Sequence, residues 1–131
     1  MSRTDLVSDA LTIVRNAYKA NKEEVLIPYS NMLVGIMEIL KKEGYIENFR
    51  VIELGKIKKI KIYLKYEGKK GAISNIKRIS KPGRRVYVSK GKIPCVLSGY
   101  GIALVSTSQG IITDREAKEL RIGGEVICYV W

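Results

Sequence analysis

The sequence predicts an α+β protein of two small lobes, an N-terminal α-β-α-β-β lobe and a C-terminal β-rich lobe with a short helix. Three observations lead there. Near the start, apolar residues recur at helical spacing in two separate stretches. A glycine-bearing charged segment, Glu67-Gly68-Lys69-Lys70-Gly71, then interrupts the pattern and places a boundary between residues 1–68 and 69–131. Beyond it the apolar runs are short, β-branched and separated by Pro-Gly, Gly-containing and Gly-Gly steps.

Leu6, Ala10, Leu11, Val14, Ala17 and Tyr18 define a first amphipathic helix ending near Asn21, with Ser2 and Asp5 spaced as a capping box. Val25-Leu26-Ile27, stopped by Pro28, reads as a short strand. Ser30 is placed to cap a second helix whose Leu33, Ile36, Met37 and Leu40 share one face, and Gly44 follows it as a stop. Tyr45 to Ile52 and Ile60 to Tyr66 read as two strands joined through Gly55-Lys56. The second alternates, with Ile60, Ile62, Leu64 and Tyr66 inward and Lys59, Lys61 and Lys65 outward.

In the second lobe, Ile73 to Ser80 and Arg85 to Ser89 read as the two strands of a hairpin, with Pro82 and Gly83 central in its turn. Pro94 begins a single helical turn ending at Gly99. Ile102 to Val105 is a strand, and Ser106-Thr107-Ser108-Gln109-Gly110 a polar loop. Thr113 and Glu116 form a capping box for a helix through Leu120, which Gly123-Gly124 breaks before a closing strand from Val126 to Trp131.

Charge narrows the function. The net charge is +11, and it is uneven: residues 1–68 hold twelve bases against nine acids, whereas residues 69–131 hold twelve against four. Between Lys69 and Lys92 lie nine bases (Lys69, Lys70, Lys77, Arg78, Lys81, Arg84, Arg85, Lys90 and Lys92) and no acid. A cationic stretch of this kind calls for a polyanionic partner. Histidine is absent, which removes the commonest general base and zinc ligand. Cys95 and Cys128 stand far apart in apolar settings, as buried free thiols do in a reducing compartment. None of the Gly-Lys pairs has the flanking residues of a phosphate-binding loop. The expectation is a protein with no catalytic residues, no metal and no cofactor. The N-terminus lacks a signal-peptide core and no stretch spans a bilayer, so the expected place is the cytoplasm, with no membrane partner.

Three features suit RNA. Alternation puts Arg85, Tyr87 and Ser89 on one face, a cation, an aromatic ring and a hydroxyl able to meet phosphate, base and 2′-OH. Ser106-Thr107-Ser108 offers three small donor–acceptors in tight quarters. Gly123-Gly124-Glu125 places a carboxylate beside backbone that a ligand can approach closely. Taken alone, the last two also read as a polar loop before a helix and a helix stop with a surface acid. An RNA-processing enzyme would draw on Asp114, Glu116 and Glu125, and would cleave RNA with magnesium. A DNA-binding module would need a basic helix, whereas the helices here are the least basic parts.

These features coincide with longer motifs. The run 79–87, Ile-Ser-Lys-Pro-Gly-Arg-Arg-Val-Tyr, resembles a hallmark of the family of the eighth small-subunit ribosomal protein, the universal S-eight family. So do 101–114, Glu116-Ala117, the ending 123–131, and, near the N-terminus, 9–17 and 39–46. The resemblance spans essentially the whole chain in order, and its C-terminal motifs are the most specific.

It implies a structural constituent of the small ribosomal subunit that binds the central domain of small-subunit ribosomal RNA during assembly. Neighbouring small-subunit ribosomal proteins are implied partners, and the protein is expected to be monomeric when free. Bacterial members also bind their own messenger RNA and repress its translation, which the resemblance extends to this chain. Carried over by motif, Ser106, Thr107, Ser108, Gly124 and Glu125 are the recognition residues, supported by Tyr87, Arg85, Lys81 and Arg84. A second contact in the first lobe falls on Thr4, Asp5, Ser30 and Asn31. The sequence departs from the family at Asn31 or Met32, where a basic residue is often found, and in its spacers around Gly55 and Gly68, which the family often has longer.

Overall fold

A computed structural model describes residues 6–94, 96 and 100–131. Its elements are helices and mostly antiparallel strands, the α+β class expected, in two units, Leu6–Ser74 and Asn75–Trp131.

In the first unit, α1 (Leu6–Lys19) buries Val7, Ala10, Leu11, Val14, Ala17 and Tyr18, a stripe at the spacing the sequence carries. Its capping pair, Ser2 and Asp5, lies outside the described residues. After β1 (Glu24–Pro28), Ser30 caps α2 (Asn31–Lys42), its side chain accepting from the Leu33 amide at 3.0 Å. Leu33, Ile36, Met37 and Leu40 are wholly buried, and Gly44 ends the turn with φ +81°, a conformation in which a side chain would strain.

Strands β2 (Ile46–Leu54) and β3 (Ile57–Leu64) form a hairpin whose two-residue turn is Gly55-Lys56. With β1 they make an antiparallel sheet ordered β1-β3-β2, and Ile60, Ile62 and Leu64 face inward by alternation.

Tyr66 does not continue β3, as the alternation suggests. It begins β4 (Tyr66–Glu67), which pairs with β5 (Lys70–Gly71) across Gly68-Lys69. The Tyr66 ring meets Tyr18 edge-on at 5.5 Å, and a Cβ on Gly71 would come 2.5 Å from Tyr18 Cδ1. The Tyr18 hydroxyl donates to the Tyr45 carbonyl and accepts from the Lys65 amide at 3.2 Å. This small hairpin is thus tied to α1, and the division between units falls after Ser74 rather than within Glu67–Gly71.

Burial pushes the Tyr18 hydroxyl up to about 12. The folded state holds the neutral phenol, so the stability it contributes is complete below pH 10 and is lost as pH rises from about 10 to 12. Tyr18→Phe is expected to lower stability at neutral pH by about 1–3 kcal/mol, since two backbone groups lose their partner. It should also flatten the decline between pH 10 and 12, read from denaturant midpoints across that range.

The second unit is a five-stranded antiparallel sheet built around β10 (Gly124–Val130). Along one edge of β10 run β6 (Ile76–Arg78) and then β7 (Tyr87–Val88); along the other lie β8 (Ile102–Thr107) and β9 (Gly110–Thr113). The expected hairpin of Ile73–Ser80 with Arg85–Ser89 is therefore corrected. Both strands are shorter than predicted and pair with different stretches of β10; across the turn they are joined by the Lys81–Arg84 bridge and by Ser80 Oγ, which accepts from the Val86 amide at 3.1 Å. β10 is seven residues long, enough for one of its edges to pair three residues of β6 and two of β7 in succession.

The loop expected at Ser106–Gly110 is likewise corrected. Ser106 and Thr107 end β8, Ser108-Gln109 is the turn, and Gly110 opens a strand the sequence reading missed. A 3-10 turn covers Lys90–Lys92, before the helical turn expected from Pro94 to Gly99, most of which lies outside the described residues.

Thr113 caps α3 (Asp114–Leu120), accepting from the Glu116 amide at 3.1 Å, and the buried Asp114 accepts from the Ala103 amide of β8 at 3.2 Å. Arg121 ends the helix in the left-handed region, ahead of the glycines expected to break it. Ile93, Ile112 and Ala117 form a small core, with Val88 and Ile122 packed on it. Cys128 is a wholly buried free thiol whose burial pushes its pKa up to about 12, so it stays protonated and inert near neutrality. Cys95 lies outside the described residues.

Candidate nucleic-acid interface

The candidate residues of the second unit come from segments far apart in sequence, brought to one row by strand register. Tyr87 of β7 sits opposite Glu125 of β10, and Glu125 sits opposite Ser106 of β8. Directly opposed residues in antiparallel strands point to the same face, at spacings of roughly 4.5–5.5 Å. An aromatic ring, a carboxylate and a hydroxyl therefore line up across three strands. Tyr87 is 69% exposed, far more than a tyrosine packed into a core.

Glu125 is engaged from within. Its Oε2 accepts from Ser80 Oγ at 2.5 Å and from Arg85 Nη1 at 3.1 Å. Arg85, one of the bases of the acid-free stretch, is thus an ion-pair partner as well, with its side chain 45% exposed. The pairing matters electrostatically. Residues 75–131 carry ten bases and four acids, and the acid on this face is neutralised where it stands, while Asp114 is buried. The face stays attractive to a polyanion.

The hydroxyls of 106–108 divide. Thr107 Oγ1 donates to the Gly110 carbonyl at 2.9 Å and accepts from the Gln109 amide at 3.1 Å, so it holds the β8–β9 turn. The Ser106 and Ser108 hydroxyls make no hydrogen bond among the described residues, and Ser108 is exposed at the tip. Lys81 and Arg84 close a tight turn through two backbone bonds, 3.1 and 2.9 Å, that leaves both side chains exposed.

Gly124 needs a different explanation from the one its neighbourhood suggests. A Cβ there would run into the Ser106 carbonyl oxygen, and one on Gly123 into the Val88 carbonyl oxygen. The close approach that these glycines permit is to the protein's own strands.

The other candidates lie elsewhere. Ser30 spends its hydroxyl on the α2 cap, and Asn31 Oδ1 accepts from the Tyr29 hydroxyl at 2.9 Å, with Lys58 Nζ 5.3 Å above the Tyr29 ring. Both belong to the first unit. Thr4 and Asp5 are outside the described residues. The acid-free stretch is also divided, with Lys69 and Lys70 in the first unit and the bases from Lys77 to Lys92 in the second. Among the described residues, no group of three acids or thiols converges as a metal site, and no helix is long and apolar enough to cross a membrane.

Sequence reasoning missed Ser80 and Arg78. Arg78 Nη1 donates to the Ile127 carbonyl at 2.8 Å, and Ser80 reaches Glu125, 45 residues away. A lone serine before Lys-Pro-Gly carries no local sign of so distant a partner.

The family model described as "Ribosomal protein S8" matches residues 5–131. The chain is 57% identical to the small ribosomal subunit protein uS8 of Kosmotoga olearia, with 98% of each chain covered. It is 55% identical to that of Halothermothrix orenii over the whole of both chains. To that of Mycoplasmopsis pulmonis it is 54% identical, covering 98% of this chain and 97% of the relative.

Proposed function

Because the chain belongs to the ribosomal protein S8 family, we propose that it is a primary binder of the central domain of small-subunit ribosomal RNA, acting in subunit assembly. It is a structural component of the small ribosomal subunit, works in the cytoplasm and is not an enzyme. Neighbouring ribosomal proteins are partners by the same membership. The observation that carries the proposal is the row Tyr87–Glu125–Ser106, bordered by the Lys81-Pro82-Gly83-Arg84 turn with its exposed Lys81 and Arg84.

The work divides between charge and shape. Lys81, Arg84 and the neighbouring bases neutralise phosphates whatever the sequence, while Tyr87, Glu125, Ser106 and Ser108 meet base edges and ribose hydroxyls. The first unit supplies a second, weaker contact through Ser30 and Asn31, with Lys58 and Tyr29 beside them. If about five phosphates are neutralised, affinity falls a few hundredfold between 50 and 200 mM salt. Lys81→Ala combined with Arg84→Ala should weaken binding to all RNAs alike and reduce the slope of log affinity against log salt by about 1–2. Isothermal or filter binding across salt checks this. Losses confined to one RNA would contradict it.

The deciding experiment is binding of the purified chain to a central-domain ribosomal RNA helix, with a scrambled RNA of equal length in competition. Tight binding that resists the competitor is expected; equal affinity for both would refute specific recognition. The leader of the chain's own messenger RNA forms the second arm. Repression of its own translation requires the leader to compete within about tenfold of the ribosomal helix, a gap of roughly 1.4 kcal/mol.

A further inference from the structure

We infer that Ser80 is a positioning residue that fixes the Glu125 carboxylate and thereby sets how sharply the protein discriminates between RNAs. The inference rests on the reading of the Tyr87–Glu125–Ser106 face as the surface that meets RNA.

The arrangement begins with an irregularity. Strand β10 shifts register between Val126 and Cys128, a bulge that takes Ile127 out of the ladder with β8. Its carbonyl turns to the segment before the basic turn, accepting from the Ile79 amide at 3.0 Å, the Ser80 amide at 3.4 Å and Arg78 Nη1 at 2.8 Å. Ser80 is pinned by its backbone and wholly buried. Its hydroxyl then does two things at once. It accepts from the Val86 amide at 3.1 Å, closing the base of the loop 81–85, and it donates to Glu125 Oε2.

A hydroxyl has one proton to give. With the Val86 amide on its acceptor side, that proton is directed at the carboxylate, and the two bonds fix each other. Ser80 and Arg85 both hold Oε2, leaving Oε1 without a partner among the described residues. That oxygen is the one able to accept from an exocyclic amine or a ribose hydroxyl. A glutamate on an RNA-facing surface is otherwise an awkward reader, because a free carboxylate repels phosphate and loses rotamer freedom on binding. Clamping one oxygen removes both penalties beforehand. The same serine anchors the turn bearing Lys81 and Arg84, so phosphate-binding and reading groups share one buried hinge.

The test is a double-mutant cycle on the full chain, measuring the ratio of affinities for the central-domain RNA helix and its scrambled counterpart. Ser80→Ala is expected to lower that ratio on the order of tenfold, the effect of losing a charge-assisted hydrogen bond. Any loosening of the turn bearing Lys81 and Arg84 weakens both RNAs alike and cancels in the ratio. In a Glu125→Ala background, Ser80→Ala should change the ratio no further. A purely structural serine would lower the ratio equally in both backgrounds, and that result overturns the inference. Where circular dichroism shows Ser80→Ala misfolded, Arg85→Gln on the half-exposed partner replaces it in the cycle. A drop of about threefold that vanishes with Glu125→Ala supports the clamp, and equal drops reject it. Wild-type protein binding both RNAs alike would reject the RNA-reading surface itself, a different failure visible before any variant is made.

Discussion

Gly124→Ala is expected to destabilise the second unit by about 3 kcal/mol, at the upper end of what overpacking costs, and to abolish RNA recognition with it. The added Cβ would meet the Ser106 carbonyl oxygen and carbon and Thr107 Cγ2. Backbone atoms of a paired strand cannot step aside as a flexible side chain does, so β8 or β10 must shift. That shift pulls apart Glu125 and Ser106, which are opposed across this same pair of strands. Gly123→Ala should act alike through the Val88 carbonyl and Ser89 backbone, detaching β7 and Tyr87 instead. Thermal unfolding should shift downward by roughly 10 °C or more for a unit of this size. A midpoint within about 2 °C of wild type would show that the strands are not so closely joined.

Ser108→Ala makes the opposite pattern: a fold left intact and a reader impaired. The hydroxyl is exposed at the β8–β9 tip and has no partner among the described residues, so stability should stay within about 0.5 kcal/mol of wild type. On the proposed reading, binding to the ribosomal helix loses about 1–3 kcal/mol, because the RNA group it meets is left unpaired. The salt slope should not move, since no phosphate charge is removed. Thr107→Ala separates the two roles of this tripeptide, weakening the turn held by its Oγ1 before any RNA is added. If Ser108→Ala weakened every RNA equally, the tip would be a general contact and discrimination would have to come from Glu125 and Ser106.

Much of the chain was legible from local rules. Helical stripes, the Ser30 and Thr113 caps, the Gly55-Lys56 turn and the Pro82-Gly83 turn each depend on residues a few positions apart. All of them formed as the spacing indicates. The errors share a cause. Ile73–Ser80 and Arg85–Ser89 look like hairpin partners because they flank a turn, yet β10, near the end of the chain, takes both. Tyr66 looks like the last inward residue of a strand, yet Tyr18 draws it into a separate hairpin.

By itself, then, the sequence determined the α+β class, the buried faces and caps of its helices, the excess of positive charge and the motifs that place the chain in its ribosomal family. These rest on composition, periodicity and short-range spacing, which any stretch of chain displays without its neighbours. Only the tertiary structure decided which strand pairs with which, and through that register which side chains meet. The alignment of Tyr87, Glu125 and Ser106, the clamp of Ser80 and Arg85 on one carboxylate oxygen, and the need for glycine at 123 and 124 all arise between segments tens of residues apart. Strand pairing is a competition among edges for backbone hydrogen bonds and apolar cover, and its outcome depends on every edge present.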